Sequence, residues 1–160
     1  MTHLRLATPA DFPFIHAVAG IPEYRLYIDD VPDADLQSYL DAPDMQVLIW
    51  EQDNHPLGFA LFCELDNPAG RCELRRLALA QTGKGAGQAF LRDLVSYAFD
   101  NLNKSRIWLD VVPDNPRAIR SYEKTGFVRE GRMRQHWKRP TGEIVDLIVL
   151  GLLRDEWRAR

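Results

Sequence analysis

Gly83-Lys84-Gly85-Ala86-Gly87 sets three glycines in alternation directly after an apolar stretch and directly before residues with helical apolar spacing. Backbone N–H groups without a Cβ in front of them can converge on an anion, and a helix start adds about half a positive charge there. The chemistry on offer is therefore phosphate binding. Two familiar phosphate signatures fail on spacing: G-x-G-x-x-G needs a glycine at Gln88, and G-x-x-x-x-G-K-[ST] needs one at Ala78. A second set of opposite sign is Asp29, Asp30, Asp33, Asp35, Asp41 and Asp44, in a stretch without Lys or Arg, which can attract a cation. His3, His16, His55 and His136 are scattered with no H-E-x-x-H spacing, so no metal is expected. There is no G-x-S-x-G element, and neither Cys63 nor Cys72 has a neighbouring His, which argues against a nucleophile.

The whole chain carries a net charge of −3, but unevenly. Residues 1–66 hold twelve Asp/Glu against Arg5 and Arg25, whereas residues 67–160 hold eighteen Lys/Arg against eleven Asp/Glu. Solvated faces and Asp caps are the plainer account of this split; the sharper one is an anionic cofactor on the second half and a cationic substrate near the first. The eight bases from Arg117 to Arg139 would draw the anion. Nucleic acid is disfavoured by the acidic overall balance and by the lack of interleaved aromatic and basic residues on a strand. At 160 residues and 46% apolar content, one domain spanning 1–160 with a self-sufficient core is expected. Two unpaired-looking cysteines suit a reducing cytosol. No signal peptide or membrane span is visible, so a cytoplasmic chain with no membrane partner is expected.

The elements that must position these groups read as follows. Leu4–Ala7 is a short strand, and Thr8-Pro9-Ala10-Asp11 has capping-box form, so a helix should run to about Val18. A second helix is expected over Asp33–Leu40. Met45–Glu51 and Leu57–Leu65 form a hairpin across the turn Asp53-Asn54-His55-Pro56, and Cys72–Ala80 is the next strand. Phe90, Leu91, Leu94, Val95, Ala98, Phe99 and Leu102 define an amphipathic helix. A strand over Arg106–Val112, a helix over Pro116–Lys124, a strand from Phe127 and a last strand over Ile144–Leu152 complete the chain. The class is mixed α/β, with a mostly antiparallel central sheet of six to seven strands and about four helices.

Leu77-Ala78-Leu79 followed by Gly83-Lys84-Gly85-Ala86-Gly87, together with Asn115-Pro116-Arg117-Ala118-Ile119-Arg120-Ser121-Tyr122-Glu123-Lys124-Thr125-Gly126-Phe127, resembles the GNAT superfamily of acyl-CoA-dependent N-acyltransferases. The order of elements agrees over essentially the whole chain. One position departs: Thr82 stands where the family usually has Gln or Arg. The resemblance implies acetyl transfer from acetyl-CoA to a primary amine by direct attack of the neutral amine on the thioester. It implies that Gly83, Lys84, Gly85, Ala86, Gly87 and Gln88 wrap the pyrophosphate through their backbone, with Lys84 and Arg117 adding attraction. Leu77, Ala78 and Leu79 would pair their main chain with the pantetheine arm and offer an oxyanion contact, and Asn115 would hydrogen-bond the same arm.

An amine of pKa about 10.4 is neutral in only a few molecules per ten thousand at pH 7, so attack requires that a proton leave. The resemblance gives Tyr122 the role of acid toward the departing thiolate and Glu73 that of general base. Taken alone, Tyr122 is an ordinary packed aromatic and Glu73 an exposed strand carboxylate. Period-2 alternation sets Arg75 beside Glu73, and a cation makes a carboxylate a poorer base, so a water chain stays open as the alternative. The tail from Gly126 to Trp157 is similar to a branch that includes ribosomal-protein N-terminal acetyltransferases and relatives acting on polyamines, amino acids and antibiotics. In such proteins the segment between the first two helices shapes the acceptor pocket, which implies substrate-binding roles for Tyr24, Tyr27, Asp29 and Asp30. The acceptor is then a cationic small molecule or a protein N-terminus, and a homodimer is common in such families. A non-catalytic acyl-CoA-binding module is the alternative.

Overall fold

β-branched and aromatic residues alternate between two apolar layers along each central strand, so a single sheet is covered on both faces. The structure, a computed structural model, describes residues 1–159. Its strands are β1 (Thr2–Leu6), β2 (Gln46–Gln52), β3 (His55–Cys63), β4 (Arg71–Leu79), β5 (Arg106–Val111), β6 (Val128–Lys138) and β7 (Ile144–Leu153). The helices are α1 (Phe12–Ala19), α2 (Asp33–Asp41), α3 (Ala86–Ser96), α4 (Pro116–Thr125) and the short α5 (Arg154–Arg158). Spatial order in the sheet is β1-β2-β3-β4-β5-β7-β6. Every neighbouring pair is antiparallel except β4 with β5. The seven-stranded, mostly antiparallel sheet is the one expected.

Along β2, Val47 and Ile49 join one core with Ile15 and Val18 of α1 and Leu36 of α2. Leu48 and Trp50 join the other, with Phe90, Leu91, Leu94 and Val95 of α3 and Ile119 of α4. Trp50 stacks on Phe90 at 4.8 Å between ring centroids and donates its indole N–H to Asp93 at 2.7 Å. Cys63 and Cys72 belong to opposite layers, and burial pushes both thiols up to about 12, so each behaves as a small hydrophobe.

Local details depart from expectation in three places. The capping segment first makes a 3-10 turn over Pro9–Asp11, where Asp11 accepts the Thr8 N–H at 2.8 Å, before α1 begins. Pro22–Leu26 forms another 3-10 turn in the segment after α1. The helix opened by the glycines ends as α-helix at Ser96 and continues through Asn101 as a single π turn.

Two irregularities in β4 create the site. Leu61 of β3 pairs with Arg76 while Phe62 pairs with Leu74, so Arg75 is an extra, bulged residue. Side chains therefore switch faces: Cys72 and Leu74 point into the α3 layer, and beyond the bulge Leu77 and Leu79 do so. The parallel pairing of β4 with β5 covers only Arg71–Glu73 against Arg106–Trp108. Past that point the strands part, and a cleft opens between them.

Candidate active site

The cleft has a volume near 1030 Å³ and is walled by Glu73–Ala80 of β4 and the segment after it, Asp110–Val112, Asn115–Ala118, Ser121 and Tyr122. Its long side is main chain. Ala80 donates its N–H to the Leu57 carbonyl at 2.8 Å, and antiparallel alternation then commits Ala78 to Phe59 of β3. The N–H and C=O groups of Leu77 and Leu79 consequently turn away from β3 toward a neighbour strand that is no longer there. Such an unpaired edge can take an extended, amide-bearing ligand as an added strand. Of the three expected residues, Leu77 and Leu79 thus face the cleft with their backbone, and Ala78 contributes position only. Tyr24 already donates its hydroxyl to the Leu79 carbonyl at 2.7 Å.

One end of this edge runs into the glycine turn. Gly83, Lys84 and Gly85 have φ of 104°, 56° and 76°, and a Cβ on Gly83, Gly85 or Gly87 would meet nothing within 4 Å. The outer side of the turn is therefore open, although the first amide of α3, that of Ala86, already donates to the Gly83 carbonyl at 3.1 Å. Gly83, Gly87, Thr82 and Arg117 line the cleft; Lys84, Gly85, Ala86 and Gln88 lie outside its lining. Gln88 instead uses its side chain as a brace, donating to the Ser121 carbonyl at 2.9 Å and hydroxyl at 2.7 Å. That bond ties α3 to α4 across the mouth. Asn115 caps α4, accepting the Ala118 N–H at 3.3 Å, while remaining in the cleft wall. Other bases of the Arg117–Arg139 group are engaged elsewhere: Arg129 with Glu123, Arg132 with Asp146, and Arg139 with Asp114 and Glu143.

The other end holds the titratable groups. Glu73 is buried at 5% exposure, contrary to the exposed carboxylate that its strand position alone suggests. Its Oε1 accepts from Arg75 Nε at 3.0 Å and a terminal guanidinium nitrogen at 2.8 Å. Tyr122 reaches the cleft from the α4 side, its ring edge-on to Phe127 at 6.0 Å. Burial raises its phenol above the ordinary value, so the hydroxyl keeps its proton at neutral pH. Asp110 was not anticipated from sequence. Burial first, then the charge of Glu73, pushes its carboxyl up to about 6. The one signal available was a lone carboxylate alternating with Leu109 and Val111. His136 and Trp137 also line the cleft.

The acceptor side is closed by the segment between α1 and α2. Tyr24, Tyr27, Asp29 and Glu23 line the cleft there. Asp30, expected beside the substrate, lies outside the cleft lining, where its carboxylate accepts from His16 Nδ1 at 2.8 Å. The opposite ring nitrogen meets Asp33 at 2.5 Å, and the two carboxylates hold the His16 pKa above its usual value. Arg139 adds a bond to the Leu26 carbonyl at 3.4 Å. Among the described residues no three His, Cys, Asp or Glu gather as a metal site, and no helix is long and apolar enough to cross a membrane.

Residues 10–127 match the acetyltransferase (GNAT) family. The chain belongs to that family. It is 27% identical over 150 residues to the N-acetyltransferase p20 of Bacillus licheniformis, covering 85% of this chain and 83% of the relative. An aminoglycoside N(6')-acetyltransferase type 1 of Klebsiella pneumoniae is 34% identical over 124 residues, 70% of this chain and 62% of that relative. In fold, a spermidine N-acetyltransferase from Vibrio cholerae, solved in complex with CoA and spermine, superposes with a TM-score of 0.87 over 98% of both chains at 22% identity. Family membership makes the protein an N-acetyltransferase with CoA thioesters as donor, and the open backbone edge with its glycine turn fits such a donor.

Proposed function

We propose that the protein transfers an acetyl group from acetyl-CoA to a primary amine on a small, multiply cationic molecule such as a polyamine or aminosugar. The observation that carries this reading is the cleft itself: a main-chain edge at Leu77 and Leu79, amides at one end, and carboxylates with a protonated phenol at the other. Acetyl-CoA supplies the activated acetyl thioester. Leu77 and Leu79 hold and orient the arm of the donor, Asn115 and Arg117 line its path, and the amides left unpaired in the Gly83–Gln88 turn receive the phosphates. Tyr122 holds a proton at Oη at the reacting end, screened from bulk water. Glu73, Asp29 and Glu23 lend the acceptor side negative charge, and Tyr24 and Tyr27 supply faces suited to cations and alkyl chains. The relatives named for aminoglycosides and spermidine are consistent with such an acceptor.

The test is a screen of amines with acetyl-CoA, read as free thiol. Spermidine, spermine and aminoglycosides are expected to turn over at least tenfold faster, in kcat/KM, than neutral or acidic amines of similar size. Equal rates across charge classes would remove the cationic acceptor from this reading.

A further inference from the structure

β6 ends at Lys138, and the next residue, Arg139, is a charged side chain only 6% exposed. Its backbone closes the turn into β7, donating its N–H to the Glu143 carbonyl at 2.9 Å and accepting from the Gly142 N–H at 2.8 Å. The guanidinium reaches well-separated stretches of the chain. Nη1 donates to the Leu26 carbonyl at 3.4 Å and to Asp114 at 3.1 Å, and Nη2 donates to Asp114 at 3.0 Å and to Glu143 at 3.2 Å. Each stretch carries cleft residues beside the bond. Leu26 precedes Tyr27 and Asp29 of the acceptor wall, Asp114 precedes Asn115 and Arg117 on the donor path, and Arg139 itself follows His136 and Trp137. Arg139 lies outside the cleft lining, so it joins these walls without meeting what they enclose.

Stability is a weak reason for such an arrangement. Asp114 and Glu143 are each more than half exposed, so water solvates either carboxylate without the arginine. The guanidinium has given up its own hydration, and its Nε is buried with no hydrogen-bond partner among the described residues. What a planar fork bonded through both arms to one carboxylate does supply is a fixed relative position.

We propose that Arg139 is a positioning residue that keeps the acceptor wall in register with the donor path, so that a donor seated beside Asn115 tightens the grip on the amine at Tyr27 and Asp29. This rests on the acetyltransferase reading above and deepens it by naming what links the two binding regions. A donor in the cleft steadies Asn115, the cap of α4 and the neighbour of Asp114. The forked bond carries that order to Arg139, and the Leu26 bond carries it to the Pro22–Leu26 turn, where the Tyr27 and Ile28 N–H groups both donate to the Tyr24 carbonyl. By linkage, the amine tightens the donor by the same factor. Tyr24 touches β4 directly through the Leu79 carbonyl, a separate route that a change at Asp114 leaves in place.

Hydrogen exchange with coenzyme A as the probe needs no acceptor. Coenzyme A should slow exchange across residues 25–31 in the wild type, and R139Q and D114N should lose that slowing while keeping protection across residues 77–89. Calorimetric titration of spermidine and of kanamycin should give a Kd about tenfold tighter with saturating coenzyme A in the wild type, inside the usual span for coupled sites, and the same Kd either way in R139Q. In turnover, the amine KM should rise in R139Q and D114N with kcat little changed, a split that loss of folded protein does not produce. R139K keeps the charge, but an ammonium lacks the fork, so it should couple no better than R139Q. Melting curves report folding; if R139Q fails to fold, D114N, altered at an exposed carboxylate, decides. No slowing in the wild type, wild-type slowing in both R139Q and D114N, or full coupling in R139K overturns this inference and leaves the proposed function standing. Wild-type protein that acetylates no amine overturns the proposed function, and the exchange measurement with coenzyme A still decides whether Arg139 links the two walls.

Discussion

Gly58→Ala tests whether the backbone of β4 is the binding surface. Gly58 lies on β3 opposite Leu79. A Cβ there would sit 2.6 Å from the Ala78 carbonyl oxygen, 3.0 Å from Leu79 Cδ2 and 3.1 Å from Phe90 Cε2. The two side-chain contacts can relax, but a carbonyl in a sheet ladder cannot swing away alone. The strand must move by a few tenths of an ångström between Leu77 and Leu79. Overpacking of this kind costs about 1–3 kcal/mol. At roughly 2–4 °C per kcal/mol for a domain of this size, Tm should fall by about 2–12 °C. The same shift misaligns one or two cleft-facing amides, each contributing about 0.5–1.5 kcal/mol net, so the acetyl-CoA Kd should rise by about 2–150-fold. Melting with and without acetyl-CoA, plus calorimetric Kd, separates the two effects. Gly131→Ala is the control: its Cβ meets nothing within 4 Å, and its Tm and Kd should stay at wild-type values. A Gly58→Ala protein with unchanged Tm and unchanged Kd would refute both the packing argument and the role of the β4 edge.

Tyr122→Phe keeps the ring packed on Phe127, so Tm and acetyl-CoA affinity should hold while kcat drops about 10²–10⁴-fold; an unaltered kcat removes the phenol from the reaction. Because burial holds that phenol above its ordinary value, no activity loss from Tyr122 ionisation is expected below pH 10. Arg5→Met strands the buried Asp11 and Glu51, which Arg5 bonds at 2.8 and 2.9 Å, and should cost about 2 kcal/mol, below the fully buried range because Arg5 is 36% exposed. Asp11 sits below its usual pKa, so its contribution is present above about pH 4 and is lost as pH falls through the folded value; Arg5→Met should flatten that part of the stability curve. His16 has the opposite sign. Its raised pKa means the clamp on Asp30 and Asp33 is complete below about pH 6.5 and weakens as pH climbs through the folded value. Hydrogen exchange across residues 22–31, corrected for intrinsic rate, should accelerate over that range in the wild type and show no such step in His16→Gln.

Local periodicity carried most of the architecture. The alternation of Val47, Leu48, Ile49 and Trp50 already divides the two layers, and the 3.6-residue recurrence from Phe90 to Phe99 already names the face of α3 that packs. Where a signal was local, it was legible. The π turn at Tyr97–Asn101 was not, because it preserves an apolar stripe while changing only the hydrogen-bond spacing beneath it. The choice between Asp29 and Asp30 was equally hidden. Adjacent residues of one type in an irregular segment are told apart only by what lies beside them, and His16, fourteen positions away, claims Asp30.

The site was legible in its composition and not in its construction. Strict alternation through β4 would place Glu73, Arg75, Leu77 and Leu79 on one face, a pattern with two charges and two leucines that no half-buried strand satisfies. The bulge at Arg75 resolves the conflict by turning Leu77 and Leu79 into the core while Glu73 stays on the cleft face. It also sends the Arg75 guanidinium back onto Glu73, which occupies that carboxylate and leaves Asp110 free. Asp110 could not be singled out without knowing that β5 runs parallel to β4 for three residues and then departs. A lone Asp on an alternating strand is ordinary on a solvated face. It stands out only once a second strand delivers Glu73 alongside and the gap between those strands opens as the cleft.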